Sequence, residues 1–142
     1  MSKSIIEINR VGEPFHFVAQ NSENIEVNID ASVAIGGTNS GVRPMELLLM
    51  GLGGCNAIDV ISILKKARQS VEDLKITISG ERDDKAVPSP YTKIHIHYVF
   101  KGDLKPEKIE QAIKLSKEKY CSASVMLEKT ADITHSFEIV KL

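Results

Sequence analysis

Cysteine is scarce in this chain, and no block of like charge breaks its surface pattern. Two cysteines in 142 residues cannot build the bridged framework of a small secreted domain, and a structural disulfide is not expected. No C-x-x-C or H-x-x-x-H spacing accompanies them, so a zinc site assembled from Cys55, Cys121 and the four histidines is not expected either. The 18 basic and 19 acidic residues are interspersed and leave a net charge of -1. Without a basic stripe, nucleic acid is not an expected partner. Neither a glycine-rich phosphate loop, a Ser-His-Asp order nor a dinucleotide fingerprint occurs, and no internal repeat is visible. The first ten residues alternate polar and apolar side chains and lack the apolar core and cleavage site of a secretory leader. They read as a strand of a cytoplasmic protein.

What is present is an ordinary globular composition, 42% hydrophobic and 26% charged, with length for a single domain and one substantial core. The stretch from Leu47 to Leu64 approaches the length of a membrane span. Asn56, Asp59 and Ser62 interrupt it, and a carboxylate near the middle of such a span costs about 2.5 to 3.5 kcal/mol on insertion scales. A buried helix of a soluble domain is the better reading.

Three short strands are expected first, Ile5 to Asn9, Phe15 to Ala19 and Ile25 to Ile29, separated by turn-rich segments and forming an antiparallel meander. A loop then leads to Pro44, which suits the first turn of a helix because its missing N–H costs nothing there. Asn39 or Ser40 is the expected cap. This helix should run from about Pro44 to Arg68, and the lack of a charged stripe from Leu47 to Asn56 implies burial on nearly all sides, with a partner subunit completing the cover. Two strands with alternating patterns follow, around Leu74 to Ser79 and Lys93 to Phe100, joined by a polar loop over 81–90. Pro106 to Tyr120 reads as a second helix with Ile109, Ala112, Ile113, Ser116 and Tyr120 inward. A last strand, Asp132 to Val140, turns Ile133, His135, Phe137 and Ile139 inward. This order favours an α+β domain over repeated βαβ units.

The two thiols carry the chemistry. A cysteine in an apolar helix is often just a small hydrophobe. At Cys55, however, Gly53 and Gly54 precede it at roughly 1 kcal/mol each in helix propensity, which invites close approach of a substrate or another helix. Asp59, four residues on, shares the Cys55 face of the helix and disfavours a thiolate, so an activating Arg or Lys is required from elsewhere. Cys121 precedes a short helical pattern, Ser122 to Glu128, whose first N–H groups point toward its sulfur. A helix-junction cysteine is the plain alternative. His95 and His97 share a strand face and read as solvated. His135, on the apolar face of the last strand, reads as a satisfied core histidine.

The segment from Pro44 to Cys55, Pro-Met-Glu-Leu-Leu-Leu-Met-Gly-Leu-Gly-Gly-Cys, and the Cys-Ser-Ala-Ser run from Cys121 to Ser124 together resemble the OsmC/Ohr family of small dimeric thiol peroxidases. The element order resembles it over essentially the whole chain. The resemblance implies an intertwined homodimer with long buried central helices between antiparallel sheets and a site at the interface. It implies that Cys55 attacks the peroxide bond to become a sulfenic acid, that Cys121 condenses with it to a disulfide, and that an external dithiol, in the family often lipoyl-type, restores both. No bound cofactor is implied. Where the characterised peroxidases have a Glu directly after the Pro, holding an activating Arg, this chain has Met45. Glu46 lies one residue later, rotated by about 100° on the helix, and is the remaining candidate for that catalytic carboxylate. Arg10 and Arg43 are candidates for the cation, and Ser122 stands where many relatives carry Pro. In these departures the chain is similar to the YhfA-like branch.

The leading function is therefore thiol-dependent reduction of organic hydroperoxides in oxidative-stress defence. The alternative is a non-catalytic protein that holds a small hydrophobic or electrophilic ligand beside Cys55, a reading Met45 favours. A third is a helix that serves dimer assembly alone, with both thiols inert.

Overall fold

Gly12, Pro14 and Asn21 cut the N-terminal segment into three short strands, β1 (Glu7–Gly12), β2 (His16–Gln20) and β3 (Glu26–Ile29). They form an antiparallel sheet in the order β1-β2-β3, with Val18 paired to Asn9 on one side and Asn28 on the other. Asn21 closes the second turn, its Oδ1 accepting the N–H groups of Glu23 and Ile25 at 3.0 Å each, which is how Asn stabilises turns. The expected meander is present, with strand ends displaced by at most three residues. The computed structural model describes residues 1–141, and these divide into two units, one over Met1–Leu48 and one from Leu49 onward.

In the first unit the loop after β3 is organised around a single carboxylate. Asp30 is 1% exposed and accepts the N–H of Ala31 at 2.7 Å, the N–H and hydroxyl of Thr38 at 3.0 and 3.1 Å, and the N–H of Ser40 at 3.0 Å. An ionised carboxylate offers about four acceptor positions, so this set is complete. The loop then presses Gly41 against β3, where an added Cβ would lie 2.5 Å from the carbonyl carbon of Asn28. Only glycine fits there without moving backbone. Val42 bonds back to Asn28 and Asp30 at 3.0 Å each, which fixes Arg43 at the start of α1 (Pro44–Lys66).

The cap differs from expectation. Ser40 has given its N–H to Asp30, and Asn39 accepts from the Arg43 guanidinium at 3.1 Å. The helix instead starts directly after Arg43, whose N–H donates to Glu46 Oε1 at 2.8 Å, half of a capping box. Pro44 takes the first helical position as expected.

The second unit holds the greater part of α1, then β4 (Asp73–Arg82), β5 (Tyr91–Lys101), α2 (Pro106–Leu115), α3 (Ser122–Leu127) and β6 (Asp132–Val140). Its sheet has the order β4-β5-β6, antiparallel between β4 and β5 and parallel between β5 and β6. A parallel neighbour demands a crossover, and α2 with α3 supplies it. Ile94, Ile96, Tyr98 and Phe100 alternate on the inner face of β5, buried with Leu52, Val60 and Leu64 of α1 and Ile109, Ala112 and Ile113 of α2. Each buried Leu, Ile, Val or Phe side chain among them is worth about 1.5–3 kcal/mol in burial. The family-independent expectation of an α+β architecture is met.

α1 buries one stripe within this chain, Leu52, Gly53, Asn56, Val60 and Leu64, and leaves Ile58 72% exposed and Met50 50%, so the cover that its apolar pattern calls for is not completed within one chain. α1 has the length and apolar character of a membrane span, yet its buried stripe belongs to the core. Two local readings are corrected. The second predicted helix ends at Leu115, and Ser116–Tyr120 wind as a π-turn in which the Cys121 N–H reaches Ser116 O at 2.7 Å. The wider turn rotates the following side chains, so Ser116 stays buried while Tyr120, expected inward, is 52% exposed. His95 and His97 are not free surface groups. They join Thr134, Ser136 and Glu138 in an unbroken hydrogen-bonded ladder across β5 and β6, at 2.6 to 3.1 Å. His135 is half-buried and satisfied by Glu110 at 2.8 Å.

Asp30 makes the fold acid-sensitive in a defined window. The Ser40 N–H foremost, with those of Thr38 and Ala31, outweighs burial and lowers its pKa to about 2, from about 3.9 in an unfolded chain. A folded value below the unfolded one stabilises the native state above about pH 4, and that contribution disappears as pH falls toward 2. Asp30→Asn should therefore lower the melting temperature at neutral pH, with the gap to wild type closing between about pH 4 and pH 2. A gap that persists undiminished at the acid end would sink this account.

Candidate thiol site

Cys55 lies in the middle of α1 and Cys121 at the residue before α3. Far apart in sequence, they meet in the fold. Their sulfur atoms and a carboxylate oxygen of Asp59 all lie within 4.8 Å of one another. Both thiols are free, Cys55 half-buried and Cys121 fully buried. Asp59 reaches the pair because it sits one helical turn beyond Cys55 on the same face.

Backbone N–H groups of α3 serve both sulfurs. The Ser124 N–H donates to Cys121 Sγ at 3.3 Å, and the Ala123 N–H beside it favours the charged form of Cys55. The short helix expected after Cys121 is thus present, and Cys121 caps it through its own sulfur.

Asn56 holds this arrangement together. It is 1% exposed, and its Nδ2 donates to Leu52 O at 2.9 Å, Ser124 Oγ at 3.4 Å and Cys121 Sγ at 3.5 Å. Its Oδ1 accepts from the hydroxyls of Ser116 at 3.2 Å and Tyr98 at 3.4 Å. The single Ser116 proton is shared between Asn56 Oδ1 and Asp59 Oδ2, the latter 3.1 Å from the same hydroxyl oxygen. Burial, followed by the negative charges of Cys121 and Asp59, raises the Tyr98 pKa, which keeps the phenol a neutral donor. Asn56, Ser116 and Tyr98 were missed as site residues in the sequence. The signal for Asn56 was its amide in an otherwise apolar helix segment, which served only to argue against a membrane span.

The electrostatics of Cys55 follow from this packing. Burial raises its pKa first, the hydrogen bond with Cys121 raises it further, the Ala123 N–H opposes, and the charges of Cys121 and Asp59 add to the rise. The sequence expectation that Asp59 disfavours the thiolate is met. Of the other expected residues, Glu46 and Arg43 bond at the start of α1, the Arg43 guanidinium donating to Gly41 O at 2.8 Å. Arg10 is exposed on β1. All belong to the first unit.

Gly53 and Gly54 are not demanded by packing inside one chain. A Cβ at Gly53 would make ordinary contact with Ile78 at 3.8 Å, and one at Gly54 would meet nothing within 4 Å. Both line an apolar cleft of about 380 Å³ with Leu49, Met50, Ile61 and Ile76.

The charge effect is measurable. Alkylation of Cys55, followed by peptide mass spectrometry across pH, should show a midpoint above that of an ordinary thiol, and Asp59→Asn should move it down and speed the reaction at mildly alkaline pH. An unchanged midpoint would remove Asp59 from the account.

Residues 37–136, which include both thiols, match the family described as OsmC-like protein. Protein YhfA of Escherichia coli K12 is 49% identical over 106 residues, covering 72% of this chain and 78% of that protein. A hypothetical protein from Aquifex aeolicus VF5 superposes with a TM-score of 0.86 at 36% identity, over 100% of this chain and 99% of that one. An organic hydroperoxide resistance protein OsmC from Legionella pneumophila shares the fold, with a TM-score of 0.73 at 15% identity over 97% and 98% of the two chains. The family match over both thiol-bearing segments, together with relatives this similar over most of its length, shows that the chain belongs to the OsmC family.

Proposed function

We propose that this protein reduces organic hydroperoxides with Cys55 as the peroxidatic and Cys121 as the resolving residue. The observation that carries the reading is the meeting of two free thiols, one half-buried and one fully buried, within 4.8 Å. The half-buried sulfur is the one a substrate reaches. In the first step Cys55 sulfur attacks the distal peroxide oxygen, the O–O bond breaks, and the thiol proton ends on the departing alcohol, leaving Cys55 as a sulfenic acid. Cys121 then attacks the oxidised sulfur, forming a disulfide and releasing water. An external dithiol, of the lipoyl type, exchanges with that disulfide and returns both thiols while becoming a disulfide itself. The name of the Legionella relative supports the substrate class. A reducing compartment, the cytoplasm, suits a cycle that starts from free thiols.

Cys55 is not a thiolate in one chain at neutral pH, because burial, Cys121 and Asp59 raise its pKa. Activation by a cation is part of the proposal, with Arg10 and Arg43 as candidates and Glu46 as the candidate carboxylate partner. A homodimer is part of it too, since the exposed apolar side chains Met50, Ile58 and Ile61 of α1 form the kind of surface a second copy covers.

The cycle predicts that cumene hydroperoxide converts reduced protein to a form with no free thiols, that Cys55→Ser lowers peroxide consumption on the order of 10³-fold or more, and that Cys121→Ser accumulates a sulfenic acid trappable by dimedone. Stopped-flow mixing followed by thiol counting reads this out. Thiols that stay free at excess peroxide would exclude it. The apolar cleft beside Gly53 and Gly54 favours the second reading, a non-catalytic binder of a small hydrophobic ligand. Ligand-induced thermal stabilisation that survives replacement of both cysteines by serine, with the thiols inert to peroxide, would establish that reading in its place. For the dimer, Ile58→Asp should weaken self-association by about 2 kcal/mol, roughly 30-fold in the dissociation constant, as read by sedimentation velocity. Wild-type protein that sediments as a monomer at micromolar concentration overturns it.

A further inference from the structure

We propose that the reduced site also binds a zinc ion, held by Cys55 Sγ, Cys121 Sγ and one carboxylate oxygen of Asp59, with a fourth position open to water or an exogenous ligand. The three ligand atoms lie within 4.8 Å of one another. In a tetrahedral zinc site, bonds of about 2.3 Å to sulfur and about 2.0–2.2 Å to oxygen place neighbouring ligand atoms roughly 3.5–3.8 Å apart. Closing onto an ion therefore requires contraction by about an ångström, within reach of side-chain rotation at the half-buried Cys55 and Asp59.

The hydrogen bonds behind the ligands are those a metal site needs. Ala123 N–H supports Cys55, Ser124 N–H and the Asn56 amide support Cys121, and the Ser116 hydroxyl donates to Asp59 Oδ2. Partners of this kind orient metal ligands and tune their donor strength. Because Ser116 occupies Oδ2, Oδ1 is the oxygen available to the ion. Asp59 also lines a second cleft of about 230 Å³ with Ser62, Lys66 and Tyr120.

The donor set selects the ion. Two thiolates favour zinc and softer ions over magnesium or calcium, and the carboxylate favours zinc over copper(I). Binding exchanges two S–H bonds for two S–Zn bonds and releases two protons to solvent. Three anionic ligands then carry one unit of negative charge in excess of the ion, and oxidation of either sulfur to a sulfenic acid or a disulfide would remove a thiolate ligand and release the ion. Metal occupancy and oxidation of the site are therefore mutually exclusive. The inference rests on the reduced geometry alone, whatever the protein's activity toward peroxides.

The test uses full-length protein, reduced with a phosphine and stripped of metal, titrated with Zn²⁺ against a chromophoric chelator. One ion per chain is expected, with about two protons released in calorimetry across buffers of different ionisation heat. Cd²⁺ in place of Zn²⁺ should give the ultraviolet charge-transfer absorption of thiolate ligation. Asp59→Asn should weaken Zn²⁺ binding by about tenfold or more. Zn²⁺ should raise the melting temperature of reduced wild-type protein and leave the disulfide form unchanged, a readout that needs no variant to fold. Reduced wild-type protein that neither competes with the chelator nor gains thermal stability overturns the proposal, as does Asp59→Asn binding with wild-type affinity. None of these measurements involves peroxide, so their failure is separable from failure of the peroxidase reading.

Discussion

The satisfaction of one buried amide sets the geometry of this protein's second unit. Asn56 is surrounded by apolar neighbours on the inward stripe of α1, and an amide left unpaired in such a place costs about 1–3 kcal/mol per orphaned group. Its partners come from three other elements: Tyr98 from β5, Ser116 from the π-turn, and Cys121 with Ser124 from the start of α3. Meeting those bonds draws the segment bearing Cys121 onto α1, one residue from Cys55. The proximity of the thiols is thus a consequence of polar satisfaction in the core, and the π-turn adjusts the helix path so that Ser116 and Cys121 both arrive.

That arrangement sets two demands against each other. The same packing that brings the sulfurs together removes water from Cys55 and places Asp59 beside it, both of which disfavour the thiolate. Reactivity then depends on charge compensation. A guanidinium would supply it for peroxide chemistry, and a divalent cation would supply it while blocking that chemistry. A cluster of three anionic-capable groups held by N–H and O–H donors suits either of the two proposed readings, which differ in the positive species they require.

The remaining features organise around access and cover. The outer face of β5 and β6 is occupied by the ladder from Thr134 through His95, Ser136 and His97 to Glu138, in which each imidazole nitrogen has a partner, so that face is polar and self-satisfied. Exposed apolar side chains of the second unit include Ile58 and Met50 on α1 and Met126 on α3.

Much was legible from residue pattern alone. Period-two alternation placed β5 and β6 closely, Pro44 marked the start of α1, and the polar loop around 81–90 and the α+β order were readable because strand and helix periodicities are local properties of the chain. Cys55, Asp59 and Cys121 were identifiable as chemistry-bearing residues by type and by helical spacing. What no local pattern encodes is which distant groups share a desolvated volume. The partners of Asn56, the π-turn that turns Tyr120 outward, the capture of Asp30 by loop N–H groups and the joining of two solitary cysteines with a carboxylate all follow from the requirement that buried polar groups find partners wherever the fold can bring them. Ligand spacing in the sequence argued against a metal site, because it registers only donors close together in the chain; the tertiary structure alone placed three of them around one point.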